Sequence, residues 1–231
     1  GIFYPARRPR GFDELAYYAE HFDLVEVNST FYRVPDPQLT QRWVERTPPG
    51  FQFSVKLYQK FTHPDMYLAK NGIADWNVSA GDFDEFRRGL DPIASAGRLS
   101  ALLVQFPPSF RAEPETGAYL DWLLSGWREY PLAVELRHRT WSDDAAGTQA
   151  RLAEQQASWA LIDEPKFKDS IWGSDRGLTP IVGSDPGLTP LYMRFHGRNA
   201  AAWWNHGESE DRYNYLYSRE ELEPFARAAR Q

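Results

Sequence analysis

Apolar residues recur along this chain in two alternating rhythms, one of period near 3.6 and one of period two. Over residues 11–22, Leu15, Tyr18 and Phe22 share one face of a predicted helix. Leu24 to Asn28 then reads as a strand, with Val25 and Val27 on one side and Glu26 and Asn28 on the other. Pro37 suits a first helical residue, Leu39, Trp43 and Val44 supply the apolar stripe, and Pro48-Pro49-Gly50 ends it. Phe51 to Leu57 is a period-two strand, with Phe51, Phe53, Val55 and Leu57 opposite Gln52, Ser54 and Lys56. The unit repeats: a helix through Phe83, Phe86, Leu90 and Ile93, strained near Pro92, precedes a strand from Ala101 to Phe106. A helix opened by Pro114 and carrying Tyr119, Leu123 and Trp127 precedes a strand from Leu132 to Arg137. Ser142 caps a segment to about Gln156, ahead of a strand from Trp159 to Asp163. Leu191 to His196 is a sixth strand, and Ser218-Arg219-Glu220-Glu221 is a capping box that opens a last helix with Leu222 and Phe225 inward. This alternation, with no evident linker, predicts a single α/β domain over residues 1–231 built on a parallel sheet.

The polar faces of these strands are the informative feature. Parallel strands covered on both sides should be nearly continuous apolar runs. Here Glu26 and Asn28, Lys56, Gln105, Glu135 and Arg137, Asp163, and Arg194 and His196 each share one parity within their strand and sit near its end. In a closed barrel such side chains point into the lumen at the carboxyl end, where barrel enzymes keep their chemistry. In an open sheet they line a crevice at the strand ends. Either geometry gathers one polar cluster at one end of the sheet.

Within that cluster Glu26, Glu135 and Asp163 oppose Lys56, Arg137 and Arg194, and His196 titrates nearest neutrality. Burying so many charges costs several kcal/mol each unless they are paired. Two explanations stay open: a self-satisfied ion-pair network that fixes the core, or a ligand site where cations grip an anion while a carboxylate or His196 moves a proton.

Composition narrows the chemistry. The 231 residues are 42% hydrophobic, enough for a substantial core. No cysteine is present, which excludes disulfides, a thiol nucleophile and cysteine-ligated zinc or iron–sulfur sites. With 26 basic and 32 acidic residues the net charge is −6, so non-specific electrostatic binding to nucleic acid is not expected, though a local basic site is possible. Apolar runs such as Ala101 to Val104 are far too short for a bilayer, and the first residues carry no signal-peptide core, so the expected location is the cytoplasm, away from membranes. Arginine outnumbers lysine 21 to 5 among the 26 cations, which suits bidentate grips on carboxylate or phosphate. The sequence starts on Gly1 rather than methionine, as an excerpt of a longer chain would.

Phe31-Tyr32, Thr62-His63, Trp141, Trp203-Trp204 and Tyr213-Tyr215-Tyr217 follow strand ends or lie near them. They are either an aromatic collar able to stack on a ring or anchors that pin long loops to the scaffold. A Gly-Ser-Asp-x-Gly-Leu-Thr-Pro unit beginning at Gly173 recurs at Gly183, as a tandem duplication in a surface loop would. No phosphate-binding glycine loop, nucleophile elbow or zinc-protease helix is present. Glu26, Glu135, Asp163 and His196 form a possible oxygen-rich divalent-ion set, but the interleaved cations oppose it, so neither a metal nor another cofactor is expected.

Several of these segments together resemble the YecE-like proteins, the family filed as domain of unknown function 72. They are Glu26 to Tyr32, Phe51 to Lys56 with Thr62-His63, Gln105 to Pro108, Glu135 to Arg137 with Trp141, Arg194 to Arg198, and Tyr213 to Ser218. The resemblance implies a TIM-barrel-type (β/α) fold and leaves the function open. Relatives usually open with a strand bearing a Gly-Thr-Ser-Gly-Trp-like motif, just before the segment seen here as Phe3-Tyr4-Pro5, and close with a strand bearing paired asparagines. Neither strand is found in this sequence. Barrel closure would then need terminal residues outside it, or another device.

The functional expectation is an enzyme, a hydrolase by default, acting at the carboxyl end of the barrel on a small anionic, phosphate-bearing ligand such as a nucleotide or nucleic acid. Glu26, Glu135 and His196 are its candidate acid–base groups, and Lys56, Arg137 and Arg194 its candidate anion grips. Asn28, Tyr32, His63, Gln105, Trp141, Asp163, Tyr213 and Tyr215 complete the expected substrate contacts. The alternatives are a sugar-processing enzyme that uses Glu26 and Glu135 as paired carboxylates, and a non-catalytic module that captures a ligand or partner.

Overall fold

The computed structural model describes residues 3–74, 76–172, 190–203 and 211–230. The tandem Gly-Ser-Asp loop up to Thr189, and Trp204, lie outside the described residues. The chain divides into two compact units, Gly1–Lys60 with Pro64–Ala101, and Phe61–His63 with Leu102–Gln231.

In the first unit, α1 (Glu14–Ala19) is started by Asp13, whose carboxylate accepts the backbone N–H groups of Leu15 and Ala16. It leads into β1 (Leu24–Val27), and a short α2 (Ser29–Tyr32) follows at once. Asn28 thus caps a helix rather than ending a strand. α3 (Pro37–Glu45) begins as expected, with Pro37 first and Asp36 accepting from the Gln38 N–H. β2 (Gln52–Lys56) pairs parallel to β1, from Leu24 opposite Gln52 to Val27 opposite Val55. Ser54 and Lys56 are buried along with Phe53 and Val55, so both faces of β2 are covered. After α4 (Pro64–Asn71), α5 (Ala80–Ser95) starts on a capping box in which Asp82 accepts from the Ser79 N–H, and it runs through Pro92. Phe86, Leu90 and Ile93 form its fully buried stripe.

α3 packs on α5 through an unusually close approach. Thr40 Oγ1 donates to the Gly89 carbonyl at 2.8 Å, and a Cβ at Gly89 would stand 2.4 Å from the Pro35 carbonyl oxygen. A side chain there must displace backbone. Gly89→Ala is therefore expected to be less stable than wild type by up to about 2 kcal/mol, the overpacking cost of about 1–3 kcal/mol less the ~1 kcal/mol gain in helix propensity. Urea unfolding reads the difference, and an unchanged or raised midpoint would refute the contact.

The strand β3 (Leu99–Gln105) belongs to both units, its first three residues to the first and the rest to the second. In the second unit, α6 (Pro114–Ser125) precedes β4 (Leu132–Glu135), which pairs parallel to β3 with Gln105 opposite Glu135. Ser142, expected as a cap, lies inside the short α7 (Arg139–Asp143), which starts on His138. The following α8 (Ala145–Glu154) is instead started by Asp144, which accepts the Gly147 N–H. The expected strand from Trp159 to Asp163 divides at Ala160 into β5 (Ala157–Trp159), parallel to β4, and β6 (Leu161–Asp163). β6 pairs parallel to β7 (Met193–Phe195), and α9 (Arg219–Ala228) ends the described fold on the expected Ser218 capping box. The core of this unit includes Leu102, Val104, Leu120, Leu123, Trp127 and Val134, all fully buried. Parallel strands alternate with helices throughout, an α/β architecture. Among the described residues, no helix is long and apolar enough to cross a membrane.

Candidate functional site

The registers of β3 with β4 and of β6 with β7 align strand ends within each pair, and side-chain hydrogen bonds from Arg194 join the two pairs. Gln105 and Glu135 are opposite each other at the ends of their strands, and Ile162 pairs with Arg194. Glu135 is wholly buried. Its Oε1 accepts from Arg137 Nε and its Oε2 from Arg194 Nη1, both at 2.6 Å, and Arg194 Nη1 also lies 3.2 Å from Gln105 Oε1. One carboxylate thus neutralises part of two guanidinium charges. Burial alone would raise the Glu135 pKa, but the adjacent Arg137 and Arg194 outweigh it and hold the carboxyl down to about 2.

His196 joins this cluster. Its Nε2 lies 3.4 Å from both Arg137 Nη2 and Arg194 Nη1, and 3.9 Å from Glu135 Oε1. Guanidinium nitrogens only donate, so contacts with them require Nε2 to present a lone pair. The Tyr213 ring flanks the imidazole, with centroids 6.2 Å apart.

Arg137 carries the cluster outward. Its Nη1 is 3.7 Å from Glu164 Oε2, and both residues line a cavity of about 390 Å³ in the same unit. Arg111, His138, Lys168 and Trp203 line it as well, whereas Glu135, Arg194 and His196 are not among its described walls. Glu164 is buried, and its Oε2 makes no hydrogen bond among the described residues. Burial pushes its carboxyl pKa up, only partly countered by Arg137. His138 Nδ1 lies 3.0 Å from Thr140 Oγ1 and 3.3 Å from the Thr140 backbone nitrogen, contacts that suit the tautomer with the ring proton on Nε2. That Nε2 is buried and has no partner among the described residues. Burial and then Arg111 lower the His138 pKa. Two buried polar atoms without a hydrogen bond among the described residues, on the walls of one cavity that also presents Arg111, Arg137 and Lys168, are the arrangement a ligand would complete.

The other expected site residues have different surroundings. Asp163 accepts a bidentate pair from Arg198, at 2.8 and 2.9 Å, and a 2.7 Å hydrogen bond from Tyr217. Arg198 also reaches Glu221, which accepts from Tyr215 at 2.5 Å and from the Ser218 N–H. Asp163 and Tyr215 therefore belong to a clamp between the end of β6 and the start of α9. Trp141 is buried, donates to the Phe110 carbonyl at 2.9 Å and stacks on the Phe110 ring, as a loop anchor does. His63 Nδ1 is 2.8 Å from Thr62 Oγ1. Glu26, Asn28, Tyr32 and Lys56 belong to the first unit. There Asn28 Nδ2 is 3.5 Å from Glu26 Oε1, Lys56 lies 4.0 Å over the Phe31 ring, and Tyr32 is exposed. Strand parity did not point to Glu164, His138, Arg111 or Lys168. Glu164 and His138 directly follow the expected Asp163 and Arg137, and that adjacency was the available signal.

Among the described residues no group of three or more His, Asp or Glu side chains is arranged to hold a metal.

Known proteins bear out the kinship implied by the sequence motifs. The family model described as "Protein of unknown function DUF72" matches residues 1–231. The UPF0759 protein YunF of Bacillus subtilis (strain 168) is 32% identical over 216 residues, covering 91% of this chain and 72% of that protein. The UPF0759 protein YecE of Escherichia coli (strain K12) is 30% identical over 130 residues, 55% of this chain and 43% of that protein. The crystal structure of a DUF72 family protein from Enterococcus faecalis V583 has a TM-score of 0.76 at 25% identity, covering 94% of this chain and 76% of that one. The structure of a DUF72 family protein from Thermotoga maritima MSB8 has a TM-score of 0.71 at 31% identity, covering 96% and 79%. On the match along its whole length, the chain belongs to the DUF72 family of proteins of unknown function.

Proposed function

We propose that this protein is a hydrolase of phosphate esters, working in the cavity walled by Arg111, Arg137, His138, Glu164 and Lys168 on a nucleotide-like or nucleic-acid substrate. The carrying observation is Glu164: a buried carboxyl whose pKa burial raises, with an oxygen that makes no hydrogen bond among the described residues, on the wall of a cavity also lined by Arg111, Arg137 and Lys168. Burial favours the protonated form of this carboxyl, the form that can deliver a proton to a leaving oxygen. Arg111, Arg137 and Lys168 hold the phosphoryl oxygens, and His138 donates a hydrogen bond through Nε2. Water attacks phosphorus, the ester P–O bond breaks, Glu164 protonates the departing oxygen, and the proton lost by the water restores Glu164. Trp203, beside the Phe167 ring, offers an aromatic wall for a base.

Glu135 and His196 are positioning residues in this reading. Both Glu135 oxygens are committed to arginines, so it orients Arg137 rather than taking a proton. The same commitment weakens the sugar-processing alternative, which needs Glu135 as a working carboxylate. A TIM-type barrel is the fold this reading adopts, supported by parallel strands alternating with helices and by the structural relatives.

Thermal unfolding with inorganic phosphate and adenosine 5′-monophosphate tests the anion grip. Both ligands are expected to raise the midpoint of the wild type, and Arg111→Ala/Lys168→Ala, at exposed positions, should lose most of the phosphate-dependent rise. Stabilisation by neutral sugars and not by phosphate would overturn the proposal in favour of the sugar reading. A phosphate response with no turnover of any phosphate ester would leave a binding module.

A further inference from the structure

The first unit contains a larger cleft of about 630 Å³ that the proposed hydrolysis does not use. One wall is the segment from Tyr32 to Pro37, and the opposite wall comes from α4 and α5. Its shape is built in. Gly89 lets the Pro35 backbone approach α5 at a distance no other residue allows, and Lys70 Nζ donates to the Tyr32 carbonyl at 2.6 Å. The rim segment is thereby tied to both helices.

The charges divide into committed and open ones. Lys60 is committed to Asp82 at 2.5 Å, and Asp82 also receives the Ser79 N–H of the α5 cap. Asp36 is committed to the start of α3. Arg33 and Arg88 are exposed and make no hydrogen bond or ion pair among the described residues, with Glu85 the remaining acid of the cleft. Tyr32, Tyr58 and Tyr67 supply ring surface beside them, with the Tyr58 and Tyr67 centroids 6.0 Å apart.

We infer that this cleft is a second binding site, for a phosphate group attached to a planar ring, as in a mononucleotide. Arg33 and Arg88 take the phosphate, for which planar guanidinium forks are well matched, and the tyrosines take the ring. The cleft volume lies in the range of small-ligand sites. Aromatic stacking on a base is tolerant of sequence, so the ring class is specified more closely than the base. The inference does not depend on the hydrolytic reading of the other cavity.

Calorimetric titration of Arg111→Ala/Lys168→Ala protein, in which the first cavity's anion grip is removed, isolates this cleft. Adenosine 5′-monophosphate is the probe, with inorganic phosphate and adenosine alone as comparisons. Saturable binding of the nucleotide is expected, at least tenfold tighter than either fragment, and adding Arg33→Ala/Arg88→Ala should weaken it at least tenfold. The same loss should appear in otherwise wild-type protein as one fewer nucleotide bound per chain. No binding at millimolar nucleotide, affinity unmoved by the arginine substitutions, or inorganic phosphate as tight as the nucleotide would each overturn the inference. A failure of the first cavity would appear instead in the phosphate-dependent midpoint and leave this titration intact.

Discussion

Glu135→Ala is expected to lower the unfolding free energy by about 3–5 kcal/mol, the usual cost of breaking a buried ion pair from one side. The substitution leaves Arg137 and Arg194 with no shared anion, each largely buried and each repelling the other. The direction of the pKa shift of the same group agrees with the sign. Its folded pKa of about 2 lies below the ordinary value of 4.5, so the ionised form is the one the fold prefers. The stabilisation is therefore complete above pH 4.5 and is lost as the pH falls from there toward about 2. At about 1.4 kcal/mol per pH unit of pKa depression, that window corresponds to ~3 kcal/mol. Urea unfolding between pH 2 and pH 7 checks both statements. Wild type should lose stability through this acid window, and the Glu135→Ala protein, already weakened, should show a shallower slope. A variant within about 1 kcal/mol of wild type at neutral pH would mean that the ion pairs are not the support described.

Glu164→Gln is expected to behave in the opposite way. It should cut turnover of a phosphate ester by about 10²–10⁴-fold, the usual worth of a positioned acid–base group, while leaving the fold at least as stable as wild type. Burial raises the Glu164 pKa, so the fold prefers its protonated form. Its contribution is favourable below the ordinary carboxyl pKa and is lost as the pH rises through the elevated folded value. At neutral pH the carboxylate therefore works against folding, and an uncharged amide of the same shape relieves it. A raised thermal midpoint with lost turnover is the signature of a group kept for chemistry. A lowered midpoint with turnover intact would remove Glu164 from the proposed mechanism.

The contrast between these two acids bears on what the residue pattern could reveal. Gln105, Glu135 and Arg194 were legible as partners because period-two alternation fixes the side to which a strand residue points, and the parallel register then aligns strand ends. Arg137 and His196 lie one or two residues past their strands and still follow that alternation into the cluster. Glu164, His138, Arg111 and Lys168 lie outside the strands and helices, in connecting segments whose direction no repeat sets. The same limit explains α7, too short for a helical stripe, and the division of the Trp159–Asp163 run at Ala160, which apolar composition does not reveal. Aromatic residues near strand ends were ambiguous between rim and anchor. Trp141 proves an anchor through the Phe110 carbonyl, while Tyr213 flanks His196. Asp163 was legible as a polar strand end. Its partners Arg198 and Tyr217 are distant in sequence, and no periodicity links them.

The consecutive acids Asp163 and Glu164 impose a constraint on chain length rather than on residue type. Arg198 and Tyr217 seize the first, and the second is left to the cavity wall beside Arg137. Removing one residue from Leu161–Asp163 would slide Glu164 into the grip of Arg198 and take it off the wall beside Arg137. Exchanges among apolar side chains at 161 and 162 leave that phasing untouched, so this stretch tolerates spelling changes but no insertions or deletions.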